Sequence, residues 1–141
     1  MTDTADSARK HDDAFNAHDA AARRACEASD IAVVLPGGIE LHGPDQVLGM
    51  VMMFWEGMPD VHLTIHSTVE QGDAIAVEGT LSGHHTGPIR APQGEIPPSG
   101  NFVQLRYAGV KRIRDGKLAS ENLYFDQLEF LQQVGAMPGP A

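Results

Sequence analysis

Between Val61 and Phe125 the chain alternates apolar and polar residues at a two-residue period, and two short turn dipeptides, Gly72-Asp73 and Asp115-Gly116, interrupt the alternation. This pattern commits half of the molecule to antiparallel strands joined by tight turns, because successive strand side chains point to opposite faces. Val61, Leu63, Ile65 and Val69 are expected on one face of a first strand, opposite His62, Thr64, His66 and Thr68. In the next strand Ile75, Val77, Gly79, Leu81, Gly83 and His85 share a face opposite Ala76, Glu78, Thr80, Ser82 and His84. Two further strands are predicted at about Phe102 to Arg114 and Leu118 to Phe125. Residues Thr86 to Asn101 carry four Pro and three Gly, which reads as a long irregular loop over a pocket mouth.

The other half of the chain is helical in pattern. Thr4 to Ala28 contains neither Gly nor Pro and is rich in Ala, Asp, Arg and Glu, with a break near Asn16-Ala17-His18-Asp19. Asp19 is placed to cap a second short helix running from Ala20 to Ala28. Ile31 to Leu35 and Ile39 to His42 read as two short strands around Pro36-Gly37-Gly38. Val47, Leu48, Val51, Met52 and Trp55 recur at three- and four-residue steps, giving an amphipathic helix from Asp45 to Gly57 that Pro59 ends. Helices followed by a strand meander predict an α+β domain with one sheet face covered by helices. A single domain over residues 1–135 and a loose tail over 136–141 account for all 141 residues.

Composition narrows the function. Lys and Arg number 10 against 19 Asp and Glu, a formal charge of -9, so an anionic nucleic acid or membrane surface is not an expected partner. One cysteine, Cys26, rules out an intrachain disulfide and a thiolate zinc site. The start lacks the apolar core of a signal peptide, and no apolar run approaches the roughly 20 residues that span a bilayer. A cytoplasmic location is the expectation.

Several pieces in a fixed order carry more specific information: Phe15-Asn16-Ala17-His18-Asp19, His84-His85-Thr86-Gly87-Pro88, Ile96-Pro97-Pro98-Ser99-Gly100, Asp115-Gly116-Lys117, Tyr124-Phe125-Asp126 and Leu131-Gln132-Gln133-Val134-Gly135. Together they resemble the SnoaL-like branch of the NTF2-like superfamily, which holds polyketide cyclases and ester cyclase-like proteins, and the likeness covers nearly the whole chain. The resemblance implies an NTF2-like (cystatin-like) cone, a homodimer formed through the outer sheet face, and an apolar pocket for a small hydrophobic molecule such as a polyketide. It implies neither cofactor nor metal. Phe15, Leu35, Phe54, Trp55 and Leu123 are the expected substrate-binding residues of such a pocket.

The chain departs from the family where the family keeps its chemistry. Aligning the Asp-Gly-Lys turn and the Gln-x-Gly end puts Leu123 at the cyclase aspartate, and the histidine of the preceding strand maps to Gly109. The ketosteroid-isomerase base, which precedes a proline, maps to Leu35 before Pro36. None of these residues moves a proton.

Strand parity then selects the remaining candidates. Glu121, Leu123 and Phe125 share the pocket face of the last strand, so Glu121 is the carboxylate one repeat from the lost base. A carboxylate in an apolar cavity is an acid/base candidate, with partnership to Arg106 or Arg112 the structural alternative. His85 matches a Gly-x-His-x-Gly element and faces inward; it would polarise a carbonyl, or would simply be a buried histidine bonded to the backbone. Tyr107 shares a face with Val103, Leu105 and Gly109, and would donate to an oxyanion or pack with its hydroxyl bonded to a neighbour.

Other polar residues read as structural. Asp126-Gln127-Leu128-Glu129 has the form of a capping box, and Glu78 lies on the outer face. His62 and His66 lie about 13 Å apart at the usual strand rise, too far to chelate one metal. Phe54, Trp55 and the Met50, Met52, Met53 and Met58 group read either as core or as an adaptable wall for a bulky ligand. Two functions follow: a cofactor-independent acid/base enzyme of cyclase or isomerase type using His85, Tyr107 and Glu121, or a non-catalytic ligand-binding or accessory protein that has lost the family base.

Overall fold

The computed structural model describes residues 3–91 and 94–138. Helix α1 (Thr4–Asn16) starts where the Asp3 carboxylate accepts from Asp6 N–H, and its buried face, Ala8, His11, Asp12 and Phe15, recurs at three- and four-residue steps. The chain reverses through His18, held at φ 53°. Asp19 then caps α2 (Ala20–Ala25), accepting from Ala22 N–H at 3.0 Å. Asn16 ties this junction to the sheet, donating to Leu63 C=O at 3.0 Å and accepting from Leu63 N–H at 2.7 Å.

The second helix stops three residues short of the expected Ala28. Strand β1 (Glu27–Leu35) begins instead at Glu27, because Glu27 pairs in parallel with Leu118 and buries its carboxyl against His11. β1 turns through Gly37 and Gly38, both at positive φ, into antiparallel β2 (Ile39–His42). Helix α3 (Pro44–Gly57) follows with proline in its first turn, where a missing N–H costs nothing.

Strands β3 (His62–Gln71) and β4 (Ala74–His84) form the first hairpin of the meander. The alternation expected along β3 holds only to Ile65. A bulge shifts the register between Ile65 and Ser67, so Thr68 opposes inward-facing Val77 while Val69 opposes outward-facing Ala76. One extra residue inverts every side chain beyond it, and Val69 is consequently 72% exposed.

The Pro-rich stretch after His85 is more regular than its composition predicts. It contains a small hairpin, β5 (Ile89–Ala91) and β6 (Gly94–Ile96), seated on the end of α3. Gly87 N–H donates to Gly57 C=O at 3.0 Å, and a Cβ on Gly87 would fall 2.0 Å from Glu56 O. Main chain meets main chain there, and only glycine allows it.

Strands β7 (Phe102–Arg114) and β8 (Lys117–Phe125) are joined by the Asp115-Gly116 turn, both residues at positive φ. Asp126 caps α4 (Gln127–Gln133), accepting from Glu129 N–H at 3.0 Å. Glu129 does not close a reciprocal box; its carboxylate accepts from Gln133. After α4, Ala136 N–H donates to Leu131 C=O at 2.8 Å; residues 139–141 of the expected tail lie outside the described range.

The main sheet runs β2-β1-β8-β7-β4-β3, antiparallel except for β1 beside β8. Helices α1 and α3 pack on it. The larger core cluster, including Phe15, Val51, Met58, Leu105 and Phe130, lies between helices and sheet. A second cluster of Ile31, Val33, Val47, Ile113 and Leu118 closes the β1–β8 end.

Candidate functional site

Helices and sheet leave a cavity of about 690 Å³ between them. Phe15, Phe54, Phe125 and Phe130, four of the chain's five phenylalanines, face it together with Met50 and Met53. Ile89 and Ile96 of the small hairpin form one side. A space of this size with apolar walls suits a compact organic ligand.

One end of the cavity is polar, and each of its groups arrives by ordinary periodicity. Asp12 is one turn before Phe15 on α1, and Arg23 comes from α2 with its guanidinium 5.6 Å from the Phe15 ring centre. Tyr107 and Lys111 come from alternate positions of β7, and Glu121 stands opposite Lys111 on β8. Lys111, 1% exposed, reaches Asp12 Oδ1 at 2.7 Å and Glu121 Oε2 at only 3.8 Å. Behind them His11 Nε2 lies 2.8 Å from Glu27 Oε2, and Arg23 donates to His11 C=O at 3.1 Å.

The charges do not balance with every acid ionised. Arg23 and Lys111 supply two cations against Asp12, Glu27 and Glu121, and His11 is kept neutral by burial, then by repulsion from Arg23 and Lys111. An unneutralised buried carboxylate is costly, so an excess of one acid over the cations favours proton uptake within the cluster. Asp12 has its close contact with Lys111, and Glu27 has His11 and Arg23, 3.6 Å away. Glu121 makes no hydrogen bond among the described residues; burial raises its proton affinity, Lys111 opposes the shift, and Asp12 reinforces it.

Tyr107 presents a neutral hydroxyl. Burial and the negative charges of Asp12 and Glu121 push its ionisation far upward, and its buried oxygen has no hydrogen-bond partner among the described residues. Gly79, directly opposite, gives it room, since a Cβ there would lie 3.2 Å from the hydroxyl. Gly109 does the same for Glu121: a Cβ would lie 2.8 Å from Oε2. Gly109 thus clears the space that the Glu121 carboxyl occupies.

The residues singled out from the sequence separate into groups. Tyr107 and Glu121 both line the cavity, and Phe15, Leu35, Phe54 and Leu123 line its walls. Trp55 does not. Its indole N–H donates to Phe15 C=O at 3.2 Å and its ring stacks on His18, 5.1 Å away, so it supports the wall from behind. His85 also lies outside the cavity: it is fully buried, with Nδ1 accepting from Ser99 N–H at 3.2 Å and lying 2.8 Å from Ser99 Oγ. Burial holds it neutral, and it pins the Pro-rich segment to the end of β4.

Arg106 and Arg112 are not the partners of Glu121. Arg106 lines a groove on the outer face and Arg112 lies 3.8 Å from Asp73 at the surface. His66 sits in the β3 bulge with Nε2 2.7 Å from Thr80 Oγ1. No group of three metal-ligating side chains occurs among the described residues. Asp12, Arg23 and Lys111 escaped the sequence reading although the signals were present. Extending the β7 alternation from Tyr107 through Gly109 reaches Lys111, and the α1 face through Ala8 and Phe15 includes Asp12.

A six-stranded sheet with helices on one face, enclosing an apolar cavity with an ionisable end, defines the NTF2-like class of α+β pocket domains. Within that class the chain belongs to the SnoaL-like polyketide cyclase family, whose sequence profile matches residues 5–134. A candidate SnoaL-like polyketide cyclase from Jannaschia sp. CCS1 superposes with a TM-score of 0.83 at 20% identity, covering 96% of this chain and 93% of its own. AclR from Streptomyces galilaeus, a candidate hydroxylase, gives 0.82 at 20% identity over 98% and 84%. IdmH from Streptomyces antibioticus, a candidate polyketide cyclase, gives 0.80 at 24% identity over 95% and 99%. At these identities the likeness is one of fold. No curated protein matches the chain, and no helix among the described residues is long and apolar enough to cross a membrane.

Proposed function

We propose that the chain is a cofactor-independent acid/base enzyme that cyclises or isomerises a hydrophobic carbonyl compound of polyketide type. The observation carrying this reading is that a buried Glu121 carboxyl, 3.8 Å from Lys111, and a buried Tyr107 hydroxyl without a hydrogen-bond partner among the described residues line one apolar cavity. As base, the Glu121 carboxylate takes a proton from the carbon beside the carbonyl; the C–H electrons pass to oxygen as an enolate. Tyr107 donates to that oxygen, and protonated Glu121 returns the proton at the end of the sequence. Phe54, Phe125 and Phe130 hold the carbon skeleton.

Turnover of a panel of polyketide and quinone carbonyl compounds, preselected by thermal shift, tests this assignment. Glu121→Gln is expected to lower kcat by a hundredfold or more and Tyr107→Phe by about tenfold to a hundredfold. Unchanged turnover in both variants refutes it.

A second reading, a binding protein without chemistry, is favoured by Leu35 and Leu123, which put alkyl groups on the cavity wall at the positions aligned with the family's bases. Ligand-induced stabilisation without product would select it. For the assembly, the outer sheet face with exposed Val69 and Tyr124 supports a homodimer. Light scattering at twice the chain mass is the expected result.

A further inference from the structure

We propose that Asp12 is a positioning residue for Glu121: by holding the Lys111 ammonium it keeps that cation from closing on the Glu121 carboxyl, and so leaves Glu121 free to exchange a proton with the ligand. The inference rests on the role of Glu121 proposed above and adds the device that makes the role workable.

The sheet by itself would produce a different result. Lys111 and Glu121 are direct cross-strand partners on β7 and β8, and opposite charges so placed ordinarily attract each other. Both side chains are buried, where an ion pair is screened far less than at the surface. Left alone they would form a contact pair, with the carboxylate neutralised and unavailable as a base. The ammonium instead lies 2.7 Å from Asp12 and 3.8 Å from Glu121. Asp12 descends on it from α1, a helix 99 residues away in sequence from the lysine it engages.

A glycine completes the arrangement. The Glu121 carboxyl lies over Gly109, where a Cβ would stand 2.8 Å from Oε2. Its resting place is therefore built into the strand and does not depend on being drawn to the lysine. The groups that face Glu121 are Asp12 from α1, Arg23 from α2, Glu27 from β1 with His11 behind it, and Lys111 and Tyr107 from β7. Of these, Asp12 holds the cation that lies 3.8 Å from Glu121, at 2.7 Å, while Glu27 holds Arg23 more loosely at 3.6 Å. Its removal acts twice in one direction, releasing Lys111 and deleting a neighbouring negative charge.

The test reads the protonation of Glu121 directly and needs no substrate. Protein labelled with ¹³C-carboxyl glutamate is titrated by infrared spectroscopy, with Glu121→Gln identifying the Glu121 band. The wild type is expected to titrate above ordinary carboxylates. Asp12→Asn is expected to lower the Glu121 midpoint by at least one pH unit, about a tenfold loss of proton affinity, and Asp12→Glu to restore it. A merely structural aspartate would not produce that shift and rescue.

If Asp12→Asn does not fold, the charge-neutral double variant Asp12→Asn/Lys111→Gln replaces it. Its Glu121 midpoint is expected within about half a unit of wild type, because the released cation is gone along with its holder. A rise of one unit or more would show that Lys111 principally serves Glu121, and would overturn the proposal. An unchanged midpoint in Asp12→Asn, with a raised wild-type midpoint, overturns the role of Asp12 while leaving that of Glu121 intact. An ordinary midpoint in the wild type overturns both.

Discussion

Gly109 and Glu121 are complementary in shape: a single added carbon at position 109 would stand 2.8 Å from the Glu121 Oε2 atom. The strand position that carries no side chain and the buried carboxylate are two halves of one arrangement. Because the conflicting atom is the far end of a flexible side chain, Gly109→Ala is expected to fold with a melting temperature within a few degrees of wild type. The small strand gain from replacing glycine, about 0.5–1 kcal/mol, offsets part of the crowding. Turnover is expected to fall at least tenfold, as measured on the substrate that the ligand screen identifies, because the carboxyl is pushed from its seat.

The pH dependence of stability follows from Glu121. Burial raises its proton affinity in the folded state above the ordinary value of 4.5, so the folded protein binds more protons than the unfolded chain in the window above that value. Stability from this group is present at acid pH and lost as pH rises through the folded midpoint. Glu121→Gln removes the loss. In urea titrations at pH 4.5 and pH 8, the variant is expected to gain on wild type at the higher pH, by about 1.4 kcal/mol for each unit of the shift. Equal differences at both pH values would show that Glu121 is not perturbed.

His11 gives the opposite slope. It is buried and neutral beside Glu27, with its proton affinity held well below the ordinary 6.5, so acidification charges the unfolded chain first. Stability is expected to fall as pH drops below about 6.5, and His11→Gln should flatten that limb while lowering stability near neutrality. Chemical denaturation between pH 5 and pH 7 measures both effects.

Trp55 supports the cavity wall without touching its contents. Trp55→Phe deletes the bond to Phe15 C=O and is expected to cost about 0.5–1.5 kcal/mol in stability. Ligand affinity, read by calorimetry, should change less than twofold. A large loss of affinity would return Trp55 to the cavity lining.

His85 makes a related case. His85→Asn is expected to lower the melting temperature, because Ser99 loses its buried partner and the Pro-rich segment its attachment. The pH profile of turnover should keep its midpoint. A displaced midpoint would put His85 back in the chemistry.

The strand meander, the capped helices and the pocket-facing parity of Glu121 and Tyr107 were legible because they depend on local periods of two and 3.6 residues. Val69 was not. A bulge at His66 is a tertiary decision that leaves no mark in the alternation, and it turned one apolar residue outward. The β5–β6 hairpin was hidden for a similar reason: Pro-rich composition argues for a loop, while backbone contact with Gly57 stabilises a regular form. His85 faces inward as parity demands, but inward at the end of β4 means toward Ser99. Alternation identifies the face of a strand and is silent about what lies opposite each point along it. Asp12 and Lys111 show the same limit, because their meeting joins a helix face and a strand face from the two ends of the chain.

The docking of the β5–β6 hairpin separates two kinds of information that most binding sites confound. Attachment rests on the main-chain contact of Gly57 with Gly87, the Ile89 side chain over Gly57 and the Arg90–Glu56 pair at 3.4 Å, whereas the cavity rim also carries the side chains of Glu95 and Ile96. Substitutions at Glu95 and Ile96 would recut the rim of the cavity while the two glycines keep the frame in register.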